Sequence, residues 1–377
     1  MLGRSIIVSS LLVAAVVAQS DAAAELRSKA AAIHARVLTL DTHKDIDPLF
    51  APDELPSDPA TREQFLRKYD PGVRGEQQVD LIKMREGGYD CAFFIVYVGQ
   101  GRLAKDAYNK ALKEAYAKFD AIDRMVRKYG DRIGLATTAN DVERLHREGK
   151  LIACIGIENG YPMGEDLGNI AKFYARGARY MSIAHNNHSQ LGDSHTPAEP
   201  LHGGLSELGR KAIGEMNRLG IMVDVSHAAK STMLEAVALS KAPVIASHSG
   251  ARAVNDHTRN LDDEQLRALA KKGGVVQAVA LGNFVKTTAK GEPGADVSDF
   301  VDHIDHIVKV VGIDHVGISS DFDGGGGIVG WNDATESINV TVELVRRGYT
   351  EEQIGKIWSG NLLRVWREVE KVAAAGK

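Results

Sequence analysis

Eight short apolar segments recur along the chain, and stretches with helical periodicity separate them. This alternation constrains the fold more than any other feature of the sequence. The segments are nearly continuous in apolar residues, as expected for parallel strands that helices cover on both faces. The predicted strands are residues 36–41, 91–97, 151–157, 179–184, 220–225, 243–247, 274–280 and 315–320.

The stretches between these segments carry apolar residues at three- to five-residue steps, which indicates amphipathic helices. The clearest predicted helices are residues 103–126, 205–219, 230–241, 261–272 and 298–311. Eight strand–helix units in 377 residues predict one α/β domain, a closed parallel (β/α)8 barrel of the TIM type. An open doubly wound sheet is the alternative, but no G-x-G-x-x-G motif follows the first predicted strand.

Composition and charge narrow the classes of function. Hydrophobic residues make up 44% of the chain and charged residues 25%, as in ordinary globular enzymes. The formal net charge is −4 and no basic stripe is present, so we expect no nucleic-acid partner.

The N-terminus has the pattern of a signal peptide. Arg4 precedes an apolar run over residues 6–17, and Ala18, Ser20 and Ala24 offer cleavage points. The alternative is an uncleaved anchor, but the run is about 12 residues long where about 20 span a bilayer. We therefore predict a signal peptide over residues 1–24 and a mature domain over 25–377. The protein is expected to be secreted or periplasmic, without a stable membrane anchor after cleavage.

The chain has two cysteines, Cys91 and Cys154, each within a predicted strand. An exported protein could oxidise them to a disulfide. The reading that we prefer is a pair of small buried side chains.

The segment 46–75 interrupts the strand–helix rhythm and holds five of the ten prolines: Pro48, Pro52, Pro56, Pro59 and Pro71. Long loops in compact domains are usually functional or disordered. We predict a loop over the mouth of the barrel, with a short helix near residues 61–68. The glycines at 324–327 lack the Lys-Ser/Thr of a phosphate loop and are interpreted as a flexible turn.

Ionisable residues stand at the ends of six predicted strands. In barrel enzymes the catalytic groups gather at the C-terminal ends of the strands, on one rim. Each residue alone could be a hydrogen-bonded polar group or a helix cap. Together, such residues at the ends of six strands would meet at one rim, which indicates a functional site. The residues are His43 and Asp45 after the first strand, then Glu158, His185, His227, His248 and Asp321 after the third, fourth, fifth, sixth and eighth.

Imidazole and carboxylate groups together suit zinc. His43, Asp45, His227 and His248 would supply two ligands to each of two ions, with Glu158 as the bridge. Two such ions can generate hydroxide at neutral pH and clamp the attacked carbonyl. The fourth predicted strand has no lysine, which excludes a carboxylated lysine there as the bridge. We predict two Zn²⁺ per chain.

These motifs together, in this order over residues 30–370, resemble the membrane (renal) dipeptidase family. They are DTHKD at 41–45, IGIEN at 155–159, RYMSIAH at 179–185, NRLGIMVDVSH at 217–227, APVIASHS at 242–249, RN at 259–260 and VGISSDFDG at 316–324. The resemblance implies a binuclear zinc hydrolase on a (β/α)8 barrel that acts on dipeptides.

The resemblance also implies a role for each site residue. His43 and Asp45 would hold one zinc, His227 and His248 the other, and Glu158 would bridge them. Asp321 would carry the proton from the attacking water to the leaving amine. Two further residues would bind the substrate: His185 would polarise the carbonyl and stabilise the oxyanion, and Arg259 would pair with the C-terminal carboxylate.

Two features depart from the family's better-known members. The stretch after the seventh predicted strand, QAVALG at 277–282, lacks the Asn and aromatic residue found there, and the loop after His185 also differs. Substrate preference need not transfer. A related amide hydrolase or peptide-maturation enzyme, or a metal-binding protein without turnover, are the alternative functions, and a homodimer stays open.

Overall fold

The computed structural model describes residues 21–289 and 291–376. The strands are β1 Leu40–Asp45, β2 Cys91–Tyr97, β3 Ile133–Leu135, β4 Leu151–Glu158, β5 Ala178–Ser182, β6 Met222–Asp224, β7 Ile245–Ser249, β8 Val275–Val279 and β9 Val316–Ser319. Among the described residues all pairings between these strands are parallel, with β1, β2, β4, β5, β6, β7, β8 and β9 as successive neighbours and β3 paired with β4 alone. The predicted fold class, an eight-stranded parallel barrel, is confirmed.

The first and last strands meet and close the ring. The backbone NH of Asp45 donates to the carbonyl of Phe322 over 2.9 Å, and Lys44 forms a parallel bridge to the same residue. Below this contact, the NH of Ser320 donates to Asp41 Oδ1 over 3.0 Å. The alternative of an open doubly wound sheet is therefore wrong for this chain.

Helices surround the barrel, and the C-terminal helix Asn361–Ala375 covers its lower end. In the helix Lys105–Lys128 the buried residues recur at helical spacing and face the strands. Residues 21–34 are also helical. The other helices are Pro59–Tyr69, Leu81–Gly87, Ala139–Arg147, Gly168–Ala175, Glu207–Leu219, Lys230–Leu239, Asp263–Lys271, Gly282–Val285, Val297–Val311, Ile338–Arg346, Glu351–Gly355 and Asn361–Ala375, with short 3₁₀ or π turns at Tyr161–Met163, Ile313–His315, Ala334–Glu336 and Lys356–Gly360.

Side chains fill the lower barrel interior. Successive strand residues face opposite sides, so Phe93 joins the inner cluster while Phe94 packs toward the helices. The hydroxyl of Tyr180 crosses the interior from β5 and donates to the Thr42 carbonyl of β1 over 2.9 Å. Trp366 of the C-terminal helix packs against Phe93 with the two rings tilted and their centroids 5.7 Å apart. The site can therefore open only at the other end.

The two cysteines belong to this inner cluster as free thiols. Cys91 and Cys154 are fully buried, and their sulfurs lie 3.7 Å apart in van der Waals contact. The structure therefore agrees with the interpretation of Cys91 and Cys154 as small core side chains.

The segment after β1 contains the predicted short helix, Pro59–Tyr69, and lies against the barrel mouth. Asp58 caps the helix by accepting from the NH of Thr61 over 2.8 Å. At the helix end, Asp70 accepts from Lys128 Nζ over 2.8 Å and also from the Tyr129 hydroxyl. We call residues 46–75 the lid.

Two strand predictions differ from the structure. The first strand was predicted at residues 36–41 and lies at Leu40–Asp45, because pairing with β2 starts where Leu40 meets Cys91. The metal-ligand candidates of this strand therefore lie within it rather than after it. The strand β3 was not predicted, since three residues carry too little periodic signal.

The predicted signal peptide lies mostly outside the described residues, which begin at 21, within a helix. Within the described residues, no helix is long and apolar enough to cross a membrane.

Candidate metal centre

The structure brings all seven predicted strand-end residues to one mouth of the barrel. His43 and Asp45 lie two apart on β1, so their side chains share a face. Glu158 ends β4 and His248 lies in β7. Three others follow strands by two or three residues: His185 after β5, His227 after β6 and Asp321 after β9.

Glu158 lies at the centre of the cluster, and its two carboxylate oxygens face different partners. Oε1 lies 2.9 Å from His227 Nε2 and 3.2 Å from His248 Nε2. Oε2 faces His43 Nε2 at 3.6 Å. The two halves of one carboxylate therefore face two separate sets of donors, which is the arrangement of a bridging ligand.

His43 Nε2 is the second point of convergence. It lies 3.4 Å from Asp45 Oδ2 and 3.6 Å from Asp321 Oδ1, and it is buried without a hydrogen-bond partner among the described residues. Three overlapping sets have their donor atoms within 4.8 Å of one another. The sets are His43, His248 and Asp321; Glu158, His185 and His227; and His43, Asp45 and Glu158.

Contacts at the far nitrogens orient the imidazoles. His227 Nδ1 meets Asn186 Oδ1 at 3.1 Å, and His43 Nδ1 meets the Tyr180 hydroxyl at 3.3 Å. His248 Nδ1 lies 2.8 Å from Ser247 Oγ, which in turn donates to a carboxylate oxygen of Asp224 over 2.6 Å. Such outer contacts fix the ring and leave Nε2 free to bind a metal.

The backbone takes uncommon conformations beside the site. His227 has φ 65° and Asp321 has φ 59°, in the left-handed region that non-glycine residues rarely adopt. Such outliers concentrate at functional sites. Gly324 is required by close approach, since a Cβ there would lie 2.3 Å from Asp45 Oδ2. The glycine run begins in a turn, as predicted, and Gly324 brings this turn directly against the cluster.

Burial and neighbouring charges move the pKa values of the two central carboxylates in opposite directions. Burial raises the pKa of Asp321 to about 7, and the negative charges of Asp45 and Glu158 add to this against the charge of His43. Burial would also raise the pKa of Glu158, but His43 and the imidazole hydrogen bonds hold it well below its usual range.

Burial, together with the positive charge of Arg259, lowers the pKa values of His227 and His248 well below their usual range. Both imidazoles are therefore neutral at pH 7. This is the form that binds a metal.

Two cavities flank His227. The larger, about 660 Å³, contains His185, Glu158, His248 and Asp321 in its wall. The smaller, about 290 Å³, contains Arg259.

Arg259 is 2% exposed, and its Nη1 donates to Ser249 Oγ over 2.7 Å. Its Nε and Nη2 are buried without partners among the described residues. A buried guanidinium with two free donors is a ready site for a carboxylate.

Sequence reasoning missed three residues of the larger cavity: Tyr97, Lys118 and Asn186. Tyr97, at the end of β2, brings a phenol into this cavity, and its Oη lies 3.5 Å from His185 Nδ1. Tyr97 is the last residue of a predicted strand, and this position alone could have identified it as a candidate site residue. Lys118 lies in the middle of a helix, where no pattern marks it.

Clustered imidazole and carboxylate donors at the C-terminal mouth of a (β/α)8 barrel define a metal-dependent hydrolase. The particular family follows from the sequence. The model of the membrane dipeptidase family, Peptidase family M19, matches residues 27–377, and the chain belongs to this family.

Relatives and solved structures agree with this assignment. Dipeptidase tcpJ of Claviceps purpurea is 35% identical over 79% of this chain and 71% of its own length. The structure of the probable dipeptidase PvdM from Pseudomonas aeruginosa superposes with a TM-score of 0.85, at 30% identity, over 93% of this chain and 99% of that one. A Rhodobacter sphaeroides metallopeptidase bound to a phosphinate mimic of L-Ala-D-Ala has a TM-score of 0.76 at 26% identity, over 88% and 99%. The chain is a metallo-dipeptidase.

Proposed function

We propose that the protein hydrolyses dipeptides with two zinc ions held at the barrel mouth. The observation that carries the proposal is the position of Glu158, whose two oxygens face two separate sets of donors. The donor set fits zinc, because it combines imidazoles with carboxylates. The buried and unpartnered Nε2 of His43 also fits a metal ligand.

His43 and Asp45 would hold one ion, His227 and His248 the other, and Glu158 both. When bound, the ions would polarise the scissile carbonyl and lower the pKa of the attacking water. All other steps fall to side chains around them.

Asp321 would carry the proton. Its carboxyl group is buried beside His43, and its pKa lies near neutrality. Such a group can accept a proton from the attacking water and return it to the leaving amine.

His185 and Arg259 would bind the substrate on opposite sides of His227. His185 lies in the larger cavity and can donate to the carbonyl oxygen as negative charge develops there. Arg259 faces the smaller cavity with two free donors, which suit the C-terminal carboxylate. The dipeptide would therefore extend from one cavity to the other, with its scissile bond at the cluster.

The test combines metal content with substrate length. Zinc-loaded protein should contain about two zinc ions per chain and release both amino acids from L-Ala-L-Ala. It should act poorly on tripeptides and on the dipeptide amide. His227→Ala should lower both metal content and activity, whereas His306→Ala, in a helix on the barrel's outside, should change neither. Efficient hydrolysis of the amide, or full activity with a single zinc, would contradict the proposal.

We also propose that the protein is exported. Support comes from the N-terminal pattern of Arg4, an apolar run and small residues. Expression of the full chain, cell fractionation and N-terminal sequencing test this. The mature chain should start between residues 19 and 25 and appear outside the cytoplasm; a cytoplasmic protein with an intact start would contradict it.

A further inference from the structure

Lys118 is a cation in the larger cavity, and among the described residues no acceptor lies within hydrogen-bond distance of its ammonium group. Its side chain is 12% exposed, and its Nζ lies 3.9 Å from Asp45 Oδ1 and 5.4 Å from the centre of the Tyr97 ring. It makes no hydrogen bond within residues 21–289 and 291–376. A largely buried ammonium without a close acceptor is costly, and a ligand that supplies the acceptor recovers this cost.

Asp45, whose Oδ1 lies 3.9 Å from Lys118 Nζ, would also bind an ion of the proposed metal centre. Asp45 faces His43 at 3.4 Å on its other oxygen and is one of the proposed metal ligands. A carboxylate that binds a cation in the cluster has less charge to offer Lys118. With an ion bound at Asp45, Lys118 would face the cavity as a positive group whose charge is only partly offset.

Lys118 lies in the cavity that would receive the N-terminal residue of a bound dipeptide. Tyr97 lies between Lys118 and His185: its hydroxyl is 3.5 Å from His185 Nδ1, and its ring lies under the Lys118 ammonium. Arg259 is on the far side of His227, in the smaller cavity. If the C-terminal carboxylate lies at Arg259, the larger cavity receives the N-terminal residue. Its volume of about 660 Å³ leaves room for a long side chain.

We propose that Lys118 is a specificity-determining residue that selects dipeptides with a carboxylate side chain on the N-terminal residue. The inference rests on the proposed dipeptidase function. Other charged residues also line this cavity. The carboxylates of Asp45, Glu158 and Asp321 belong to the proposed metal centre, where bound ions would offset their charges. The remaining four are Asp47, Lys68, Glu76 and Asp323. These are exposed, so water and salt screen their charges, whereas the charge of Lys118 is screened much less. A side chain that ends beside Lys118 would therefore be selected mainly by its charge.

The experiment compares L-Glu-L-Ala with L-Gln-L-Ala, which have the same length and nearly the same shape. The zinc-loaded wild type should show a kcat/KM ratio of about 10–100 in favour of L-Glu-L-Ala, as for one charge-assisted hydrogen bond. Lys118→Met should bring the ratio to about one, mainly through a higher KM for L-Glu-L-Ala. Lys118→Arg should keep much of the preference. Lys113→Met is the matched control, since Lys113 is exposed on the same helix, and it should leave the ratio unchanged.

Metal content separates this role from a structural one. Lys118→Met should retain its zinc and should also lose affinity for glutarate, a competing dicarboxylate. Loss of zinc, or an equal fall in kcat for both dipeptides, would overturn the inference and make Lys118 a positioning residue for Asp45. Equal wild-type rates on the two dipeptides would overturn the inference and leave the dipeptidase function standing. Hydrolysis of neither would overturn both.

Discussion

Two carboxylates a few ångströms from the same imidazole have opposite electrostatic surroundings. The imidazoles around Glu158, above all the charge of His43, hold its pKa well below the usual range against burial, while burial raises the pKa of Asp321 to about 7. A carboxylate that stays ionised suits metal binding, and one that titrates near neutrality suits proton transfer. Environment, rather than residue type, separates the two proposed roles.

Asp321→Asn keeps the side-chain shape but cannot accept a proton. If Asp321 carries the proton, kcat should fall by about 10²–10⁴, while KM changes little and both zinc ions stay bound. Steady-state kinetics and elemental analysis on the same preparation measure this. Asp131→Asn, in an exposed turn away from the cavity, serves as the control and should retain full activity. Loss of zinc from the Asp321 variant with normal activity per remaining ion would instead make Asp321 a ligand.

Arg259→Lys tests whether the planar guanidinium group in the smaller cavity binds the substrate carboxylate through two hydrogen bonds. A lysine ammonium reaches a carboxylate as a point charge and does not reproduce two parallel hydrogen bonds. We expect kcat/KM for L-Ala-L-Ala to fall about 10- to 100-fold, mainly through KM, since charged hydrogen bonds contribute about 1.5–3 kcal/mol. Arg267→Lys, at an exposed helix position, should have no effect. An unchanged KM would remove Arg259 from carboxylate binding.

At the scale of single elements, the strand-end residues could be predicted from sequence because topology alone gathers them. Any residue that ends a parallel barrel strand comes to the same mouth, so His227 and His248 needed no further information. Lys118 could not be found this way. It lies mid-helix and enters the cavity through packing against Tyr97, a contact between side chains that no periodicity encodes.

The first strand shows a second limit of prediction from the sequence. The apolar run before Leu40 placed the predicted strand four residues early, because apolar content was taken as the sign of a strand. The true β1 contains Asp41, His43, Lys44 and Asp45, and the first three are fully buried. Asp41 is tolerated there because neighbours satisfy it: its carboxylate accepts from the Tyr89 hydroxyl and from the backbone NH groups of His43 and Ser320. Such compensation exists only in the folded molecule.

The lid is fastened to the barrel at its C-terminal end by Asp70. This carboxylate accepts from Lys128 Nζ at 2.8 Å, from the Gly72 NH at 2.9 Å and from the Tyr129 hydroxyl. Burial acts to raise the pKa of Asp70, but these hydrogen bonds outweigh it and lower the pKa below the usual value. The stabilisation should therefore be fully present above the unfolded-state pKa, about 3.9, and should disappear as the pH falls through the lower folded-state value.

Asp70→Asn should destabilise the protein at pH 7 by about 1–3 kcal/mol. The difference from wild type should begin to shrink as the pH falls below about 4, because the Asp70 carboxylate of the unfolded chain then takes up a proton. Urea unfolding at pH 7 and pH 3.5 measures both values, and limited proteolysis should cut the variant faster within residues 46–75. Asp131→Asn, in an exposed turn, should match wild type. A difference that stays constant with pH would place the effect in packing rather than in charge.

At the scale of the whole molecule, the site joins strands that are far apart in sequence. The proposed ligands come from β1, β4, the loop after β6 and β7, separated by up to 205 residues between His43 and His248. Several imidazole nitrogens converge within 3–4 Å of one carboxylate, which concentrates polar groups at the barrel mouth. Ions bound there stabilise the folded chain, since the unfolded chain does not hold these ligands together.

Removal of the metal should therefore lower thermal stability as well as activity. An ion present at 1,000 times its Kd stabilises the fold by about 4 kcal/mol, which corresponds to a fall in Tm of roughly 5–10 °C on removal. Differential scanning calorimetry of zinc-loaded protein, of protein treated with a chelator and dialysed, and of the same protein with zinc restored measures this. Lys118→Met should show the full zinc-dependent shift, because the inference places Lys118 against the substrate, while His227→Ala should show a reduced one. An unchanged Tm after confirmed removal of zinc would mean that the strand ends are held by protein contacts alone, with the ions contributing to catalysis but not to stability.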